Sequence, residues 1–153
     1  MSSLLDASVP DNWPVDPIIL EILKKRLDDP AAFEWADYIY IHREDNEVIG
    51  DGGFKDRPDE NGCVEIGYGL IPEYRNKGLA TEAAKALLNH AFSNAEVTAV
   101  RAETVTTGFA SMRILKKLGM EMCGSRHDDE DGDLYCWRIS RDQYRANVQR
   151  RST

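Results

Sequence analysis

Apolar residues recur along this chain with two spacings, and the alternation between them sketches the fold. Ile18, Ile19, Ile22, Leu23 and Leu27 fall on one side of a helix that Asp16 caps and Pro17 opens, running to about Asp28. Trp35 to His42 is aromatic and β-branched, and reads as a strand. The turn Glu44-Asp45-Asn46 leads into a second strand, Glu47 to Phe54. After a polar loop, Asp56 to Gly62, a third strand runs from Cys63 to Leu70. Helical spacing returns from Gly78 to about Phe92, where Leu79, Ala80, Ala83, Ala84, Leu87, Leu88, Ala91 and Phe92 line one face. Val97 to Val105 is a strand. Gly108 to Leu118 is a helix with Gly119 as its C-terminal cap. Two last strands, Met120–Arg126 and Leu134–Ile139, flank the acidic turn His127 to Asp133. The order predicts an α/β or α+β sandwich without the regular βα alternation of a doubly wound sheet.

The third strand carries a further signal. Val64, Ile66, Tyr68 and Leu70 point one way, and Cys63, Glu65, Gly67 and Gly69 the other. One face therefore packs, while the other bears a single carboxylate beside two missing side chains. Tight packing explains such glycines, and so does room for a ligand.

Composition narrows the classes. The 153 residues, 42% hydrophobic and 30% charged, suit one domain with its own core, with 1–13 and 146–153 expected at the periphery. No run approaches the ~20 apolar residues of a membrane-spanning helix, and Met1 to Asn12 lacks the basic start and apolar core of a signal peptide. The expected location is cytoplasmic. A net charge of −8 and a pI near 4.9 argue against nucleic acid and anionic membranes, and favour a cationic partner such as an amine. Cys63, Cys123 and Cys136 form no C-x-x-C pair and read as reduced, mostly buried thiols.

The candidate chemistry lies where the third strand gives way to the next helix. Leu70-Ile71-Pro72-Glu73-Tyr74 leaves the strand, and Arg75-Asn76-Lys77-Gly78-Leu79-Ala80-Thr81 enters the helix. First-turn amides lack intrahelical acceptors and sit at the positive end of the dipole, so they suit a phosphate. Gly78 allows close backbone approach, and Arg75 and Lys77 add positive charge. An ordinary strand-to-helix turn has the same outline. Neither G-x-x-x-x-G-K-[ST] nor G-x-G-x-x-G occurs, which removes the common nucleotide loops.

The segment Glu65–Ala83, EIGYGLIPEYRNKGLATEA, resembles the strand, R/Q-x-x-G-x-G/A loop and helix of the GNAT acetyltransferase superfamily. ASMRILKKLGM, Ala110–Met120, is similar to a second motif of that family at the right distance. Within the family, the chain looks like the branch of ribosomal-protein N-terminal acetyltransferases, with the likeness running from about Trp35 to Ile139. The resemblance implies a mixed, splayed central β-sheet flanked by helices, with acetyl-CoA as co-substrate and no metal. It places the cofactor against Leu70, Ile71, Arg75 to Thr81 and Ser111. Two departures stand out. Gly108 occupies the place of an asparagine that touches the pantetheine arm. The family's first strand is absent or short, reduced to a Leu4-Leu5 stub.

Transfer of an acetyl group to an amine requires a neutral nucleophile, because amines with a pKa near 8 to 10.4 are mostly protonated at neutral pH. A carboxylate acting through water supplies that step. Glu65, on the glycine-cleared face, is the first candidate, against the alternative of a surface carboxylate pairing with a neighbouring strand. Glu103, near the end of the adjoining strand, is the second. The resemblance implies that the main-chain N–H of Leu70 or Ile71 polarises the thioester carbonyl. Leu115 stands where many relatives have an acidic tyrosine, and the branch it resembles gives that role to the serine, here Ser111. The hydroxyl of a helical serine also bonds to its own backbone.

These readings converge on an N-acetyltransferase acting by direct transfer on a primary amine. The acceptor is a protein N-terminus or a small molecule, an amine-bearing antibiotic included, and a homodimer is compatible with the family. The alternative is a non-catalytic acyl-CoA-binding sensor or degenerate enzyme. The run His127 to Asp133 fails as an EF-hand loop at both ends, and His42, His90 and His127 share no metal-ligand spacing.

Overall fold

Six strands form where the period-two pattern places them, except that the last two run into the expected acidic turn, one ending at Asp128 and the other starting at Gly132. The computed structural model describes Trp35 and residues 37–152, so the helix expected over 16–28, Trp13 and the Leu4-Leu5 stub lie outside the described residues. The strands are β1 (Asp37–His42), β2 (Glu47–Phe54), β3 (Cys63–Leu70), β4 (Ala99–Val105), β5 (Glu121–Asp128) and β6 (Gly132–Ser140). Three helices accompany them: α1 (Leu79–Ser93), α2 (Phe109–Lys117) and α3 (Arg141–Ser152). The strand order is β1-β2-β3-β4-β6-β5. The β3–β4 pair is parallel and the β1–β2, β4–β6 and β5–β6 pairs antiparallel, so the sheet is mixed. No described helix is long and apolar enough to cross a membrane.

The described residues fall into two compact units, one holding those up to Arg57 with Gly67–Ala84, the other Pro58–Ile66 with the stretch from Lys85 onward. In the first unit Ile49, Leu70, Ile71 and Tyr74 form a buried cluster, with Tyr40, Leu79 and Ala80 packed against it. Trp35 meets Phe54 edge to face at 5.0 Å. The glycines of β2 are a packing requirement. A Cβ on Gly50 would lie 2.1 Å from the Gly69 carbonyl oxygen, and one on Gly52 would lie 2.6 Å from that of Gly67. Tyr40 and Tyr68 bring buried phenol oxygens into this unit without a hydrogen-bond partner among the described residues. Burial pushes the Tyr68 hydroxyl up to about 12, and burial with the charges of Asp51 and Asp37 raises that of Tyr40. A buried hydroxyl without a partner costs about 1–3 kcal/mol. Tyr68→Phe is therefore expected to raise stability by about 1 kcal/mol, read from urea midpoints at unchanged slope; a loss of stability would mean that the hydroxyl has a partner.

The second unit buries Leu88, Val97, Val100, Leu115, Trp137 and Ile139 completely, and the Trp137 indole N–H donates to Thr104 Oγ1 at 2.9 Å. Helix α2 ends as its glycine predicts. Gly119 has φ +92°, and the Met120 and Gly119 amides return to the carbonyls of Leu115 and Lys116. Helix α3 is the element the pattern did not predict, and it includes 146–152, expected at the periphery. Its sequence, RDQYRANVQRRS, has no apolar stripe. Arg141 anchors it instead: Nε and both terminal nitrogens donate to the carbonyls of Phe92, Asn94 and Val97 at 2.6–3.0 Å. The guanidinium also lies 5.4 Å from the Phe92 ring centre. Arg141→Lys is expected to destabilise by about 2–3 kcal/mol, because one ammonium cannot serve three diverging carbonyls. Thermal unfolding would read this, and a shift within error would show that the clamp is dispensable.

The thiols depart from expectation. Cys123 is exposed and Cys63 and Cys136 are half-buried, because all three project from the more open, charged face of their strands rather than from the apolar one.

Candidate active site

The strand-to-helix loop is built by two left-handed residues. After the short 3-10 turn Pro72–Tyr74, Asn76 has φ +62° and Gly78 φ +79°. Asparagine tolerates this region, and glycine enters it without cost. A Cβ on Gly78 would meet nothing within 4 Å, so conformation rather than crowding demands the glycine, and the space above the loop is open. Leu79, Ala80 and Thr81 form the first turn of α1, and the first return bond runs from the Glu82 amide to the Gly78 carbonyl at 3.1 Å. The amides before Glu82 thus lack intrahelical acceptors at the positive end of the helix. Arg75, Asn76, Lys77 and Gly78 are all exposed.

Tyr74 holds this loop in place, a role no spacing in the sequence announces. Its hydroxyl donates to Asp45 Oδ2 at 2.7 Å and lies 3.1 Å from Glu47 Oε2, and these bonds raise its pKa. The Lys77 ammonium sits 5.3 Å from the centre of the same ring, and Arg75 Nε donates to the Leu70 carbonyl at 3.0 Å. Arg75 therefore fastens the loop to the strand end while keeping its charge at the exposed surface. The basic residues of the loop predict the charge; the ring beneath it becomes visible only when the chain is folded.

The glycines of β3 divide from those of β2 in purpose. A Cβ on Gly69 would meet nothing within 4 Å, and one on Gly67 only the Lys55 side chain at 3.8 Å. For β3 the tight-packing explanation is thus removed, and open space remains. The Ile71 amide donates to the Ile49 carbonyl at 2.8 Å, so it is not available to a substrate carbonyl. Successive strand amides point to opposite edges, which directs the Leu70 amide away from β2.

Glu65 lies opposite Arg101 in the β3–β4 ladder, Arg101 opposite Arg138, and Arg138 opposite Glu121. The row places two carboxylates outside two guanidinium groups on one face, and the Glu65 Oε2 atom within it is buried. Glu103 has a stronger commitment. Arg126 grips it with two bonds, Nε to Oε2 at 2.5 Å and Nη2 to Oε1 at 2.8 Å, while the Cys136 thiol lies 3.8 Å from Oε2. Glu103 and Asp128 raise the pKa of the Arg126 guanidinium above its ordinary value. The Glu103 side chain is only 9% exposed, so it is not a solvated strand-end carboxylate.

Ser111 is half-buried in the first turn of α2, which starts after Gly108 with no side-chain cap. The Gly108 amide bonds the Val105 carbonyl at 2.9 Å, and its own carbonyl receives the Met112 amide at 3.0 Å. An asparagine here would cap the helix, so Gly108 forgoes local stability as well as the pantetheine contact that the resemblance implies. No cluster of three or more metal-ligating side chains occurs among the described residues.

The N-acetyltransferase YjdG of Bacillus subtilis (strain 168), itself uncharacterized, is 35% identical over 103 residues, 67% of this chain and 60% of that protein. The chain thus spans about three fifths of that relative's length. Among solved structures, the ribosomal-protein-S5-alanine acetyltransferase of Vibrio fischeri superposes with a TM-score of 0.71 at 15% identity, over 81% of this chain and 71% of that one. AAC(6')-Ib in complex with ribostamycin and coenzyme A superposes with a TM-score of 0.63 at 21% identity, over 76% and 71%. At those identities the likeness is one of fold. The family profile described as an acetyltransferase (GNAT) domain matches residues 12–121, and the chain belongs to that family.

Proposed function

We propose that this chain is an acetyl-CoA-dependent N-acetyltransferase that moves the acetyl group directly to a primary amine. The loop Arg75–Thr81 carries the reading: two left-handed residues, open space above Gly78, first-turn amides without helical acceptors and two exposed cations. That donor set suits a pyrophosphate. Arg75 to Thr81 would hold the diphosphate of acetyl-CoA, which supplies the acetyl group as a thioester.

The chain's own groups take the remaining roles. Glu65 accepts the proton of the attacking ammonium through water. It is preferred to Glu103, whose two oxygens are both occupied by Arg126. The Leu70 amide donates to the developing oxyanion, a type of contact worth ~3–4 kcal/mol when preorganised. Ser111 touches the cofactor or protonates the leaving thiolate. The acidic surface, net charge −8, favours an ammonium-bearing acceptor, either a protein N-terminus or a small amine.

Calorimetry with acetyl-CoA and with desulfo and dephospho analogues tests the cofactor assignment, and absence of binding overturns it. A thiol-release assay over peptides, polyamines and aminoglycosides then identifies the acceptor. The uncapped helix start at Gly108 favours the second reading, a non-catalytic acyl-CoA-binding protein. Binding without amine-stimulated thiol release would decide for it.

A further inference from the structure

The β5–β6 hairpin contains an irregularity that brings two cysteines together. Met122 pairs with Trp137 and Gly124 with Cys136, so Cys123 is the extra residue of a bulge. Met122 and Ser125 lie opposite Trp137 and Tyr135, which share one face of β6. Between them, Cys123 and Gly124 are left together against Cys136 on the other face. Gly124 has no side chain to intervene, and a Cβ on it would meet nothing within 4 Å. Gly124 is the residue directly opposed to Cys136, and such pairs have Cα atoms about 4.5–5.5 Å apart; the bulge sets Cys123 next to Gly124 against the same partner, as the two-against-one arrangement of a bulge requires.

The surroundings suit oxidation of this pair. Cys123 is exposed and reaches solvent oxidants, while Cys136 is half-buried behind it. The Cys136 thiol lies 3.8 Å from Glu103 Oε2, so a carboxylate stands beside its proton. Burial first, then the charges of Glu103 and Cys123, raise the Cys136 pKa, and the exposed Cys123 is the thiol that peroxide meets first. Cys63 is excluded as a partner by topology, since it pairs with Ala99 and β4 separates its strand from β6.

We propose that Cys123 and Cys136 are a dithiol modification site, closed by peroxide to a cross-strand disulfide. The Cys123 thiol gives its proton to solvent, the thiolate attacks one peroxide oxygen, and the O–O bond breaks; a sulfenic acid forms, and the departing hydroxide takes a proton from solvent to leave as water. Cys136 sulfur then attacks the sulfenic sulfur. Its proton passes by Glu103 or solvent to the departing hydroxide, and a second water leaves. The two thiols lose two electrons, and the peroxide gains them. Closure removes the thiol donor that faces Glu103.

The test treats the full chain with one equivalent of hydrogen peroxide, alkylates remaining thiols and digests with trypsin without reductant. Cleavage after Lys117, Arg126 and Arg138 puts Cys123 in peptide 118–126 and Cys136 in 127–138. The expected product is these two peptides linked, two hydrogens lighter than their sum and separated by reductant, with Cys63 still alkylated. Cys63→Ser should give the same link. Cys136→Ser should instead leave a sulfenic acid at Cys123 that a dimedone probe traps. Sulfinic acid at Cys123 with Cys136 still alkylated, or links only between molecules or to Cys63, would overturn the proposal. A peroxide-treated, urea-unfolded sample provides the comparison: if it forms the 118–126 to 127–138 link as fast as the folded chain, the bulge is not responsible.

Discussion

Glu65→Gln is expected to lower turnover ~10²–10⁴-fold, the usual worth of a positioned general base, and to leave acetyl-CoA affinity within about twofold. The amide keeps the shape of the side chain and one acceptor oxygen, so the strand and its partner Arg101 are little disturbed. What disappears is the capacity to take a proton. The same position also has a purely architectural use, because the ladder sets Glu65 against Arg101, and Arg101 against a second guanidinium at Arg138. The two uses separate experimentally. If Glu65 only balances charge, Glu65→Gln lowers thermal stability while kcat at saturating amine stays put, and the base assignment fails. If it is the base, kcat falls, stability holds, and the remaining rate climbs with pH towards the pKa of the amine, which must then lose its proton unaided. Glu103→Gln serves as the contrast. It breaks a bidentate pair with Arg126, so stability rather than turnover should respond.

Gly78→Val is expected to weaken acetyl-CoA binding by ~10–100-fold. A β-branched residue at φ +79° costs roughly 1–3 kcal/mol of backbone strain, and about 1.4 kcal/mol is a factor of ten in an equilibrium. The chain relieves that strain by rotating Gly78 out of the left-handed region, which turns the amides of Leu79 and Ala80 away from the loop's concave side. Any strain retained in the loop lowers stability as well. The valine side chain also enters the space above Gly78, where no described residue lies within 4 Å of an added Cβ. Asn76→Gly is the informative partner substitution: it keeps the left-handed geometry at φ +62° and should change the affinity far less. Calorimetry on both variants decides. Equal affinities for Gly78→Val and the parent would detach the loop from the cofactor.

The strands were legible because each alternates cleanly or sits between turn residues. Glu47–Phe54 and Cys63–Leu70 have the ends the pattern assigns, and Gly119 closes its helix by the mechanism that places glycine there. Helix α3 was illegible for a physical reason. Its hold on the rest comes largely from Arg141 on backbone carbonyls, which are the same at every position of a sequence, and from Tyr144 stacked on Phe92, 52 residues earlier. The loop was legible as charge and glycine, whereas Tyr74 beneath it was not, since its acid partners Asp45 and Glu47 are 29 and 27 residues away. Glu103 reads as an ordinary exposed carboxylate until Arg126, 23 residues further on, is folded against it. The open faces of Gly67 and Gly69 were half legible. Alternation put both on one side of β3, but only the surrounding atoms distinguish them from Gly50 and Gly52, which the neighbouring backbone crowds.

Arg141 has a consequence for the order in which the chain matures. Its bonds to Phe92, Asn94 and Val97 bridge 44 to 49 residues, and its own amide reaches back to Thr98 at 2.9 Å. On a ribosome, the stretch from α1 to β4 must therefore wait with unfilled carbonyls until Arg141 leaves the exit tunnel. At ~5–20 residues per second that delay lasts seconds, long enough for a chaperone or a protease to meet the unfinished edge. A single arginine late in the sequence thus acts as a latch on everything synthesised in the preceding interval, and a stop codon just before it should send the nascent chain to degradation rather than merely trim a surface helix.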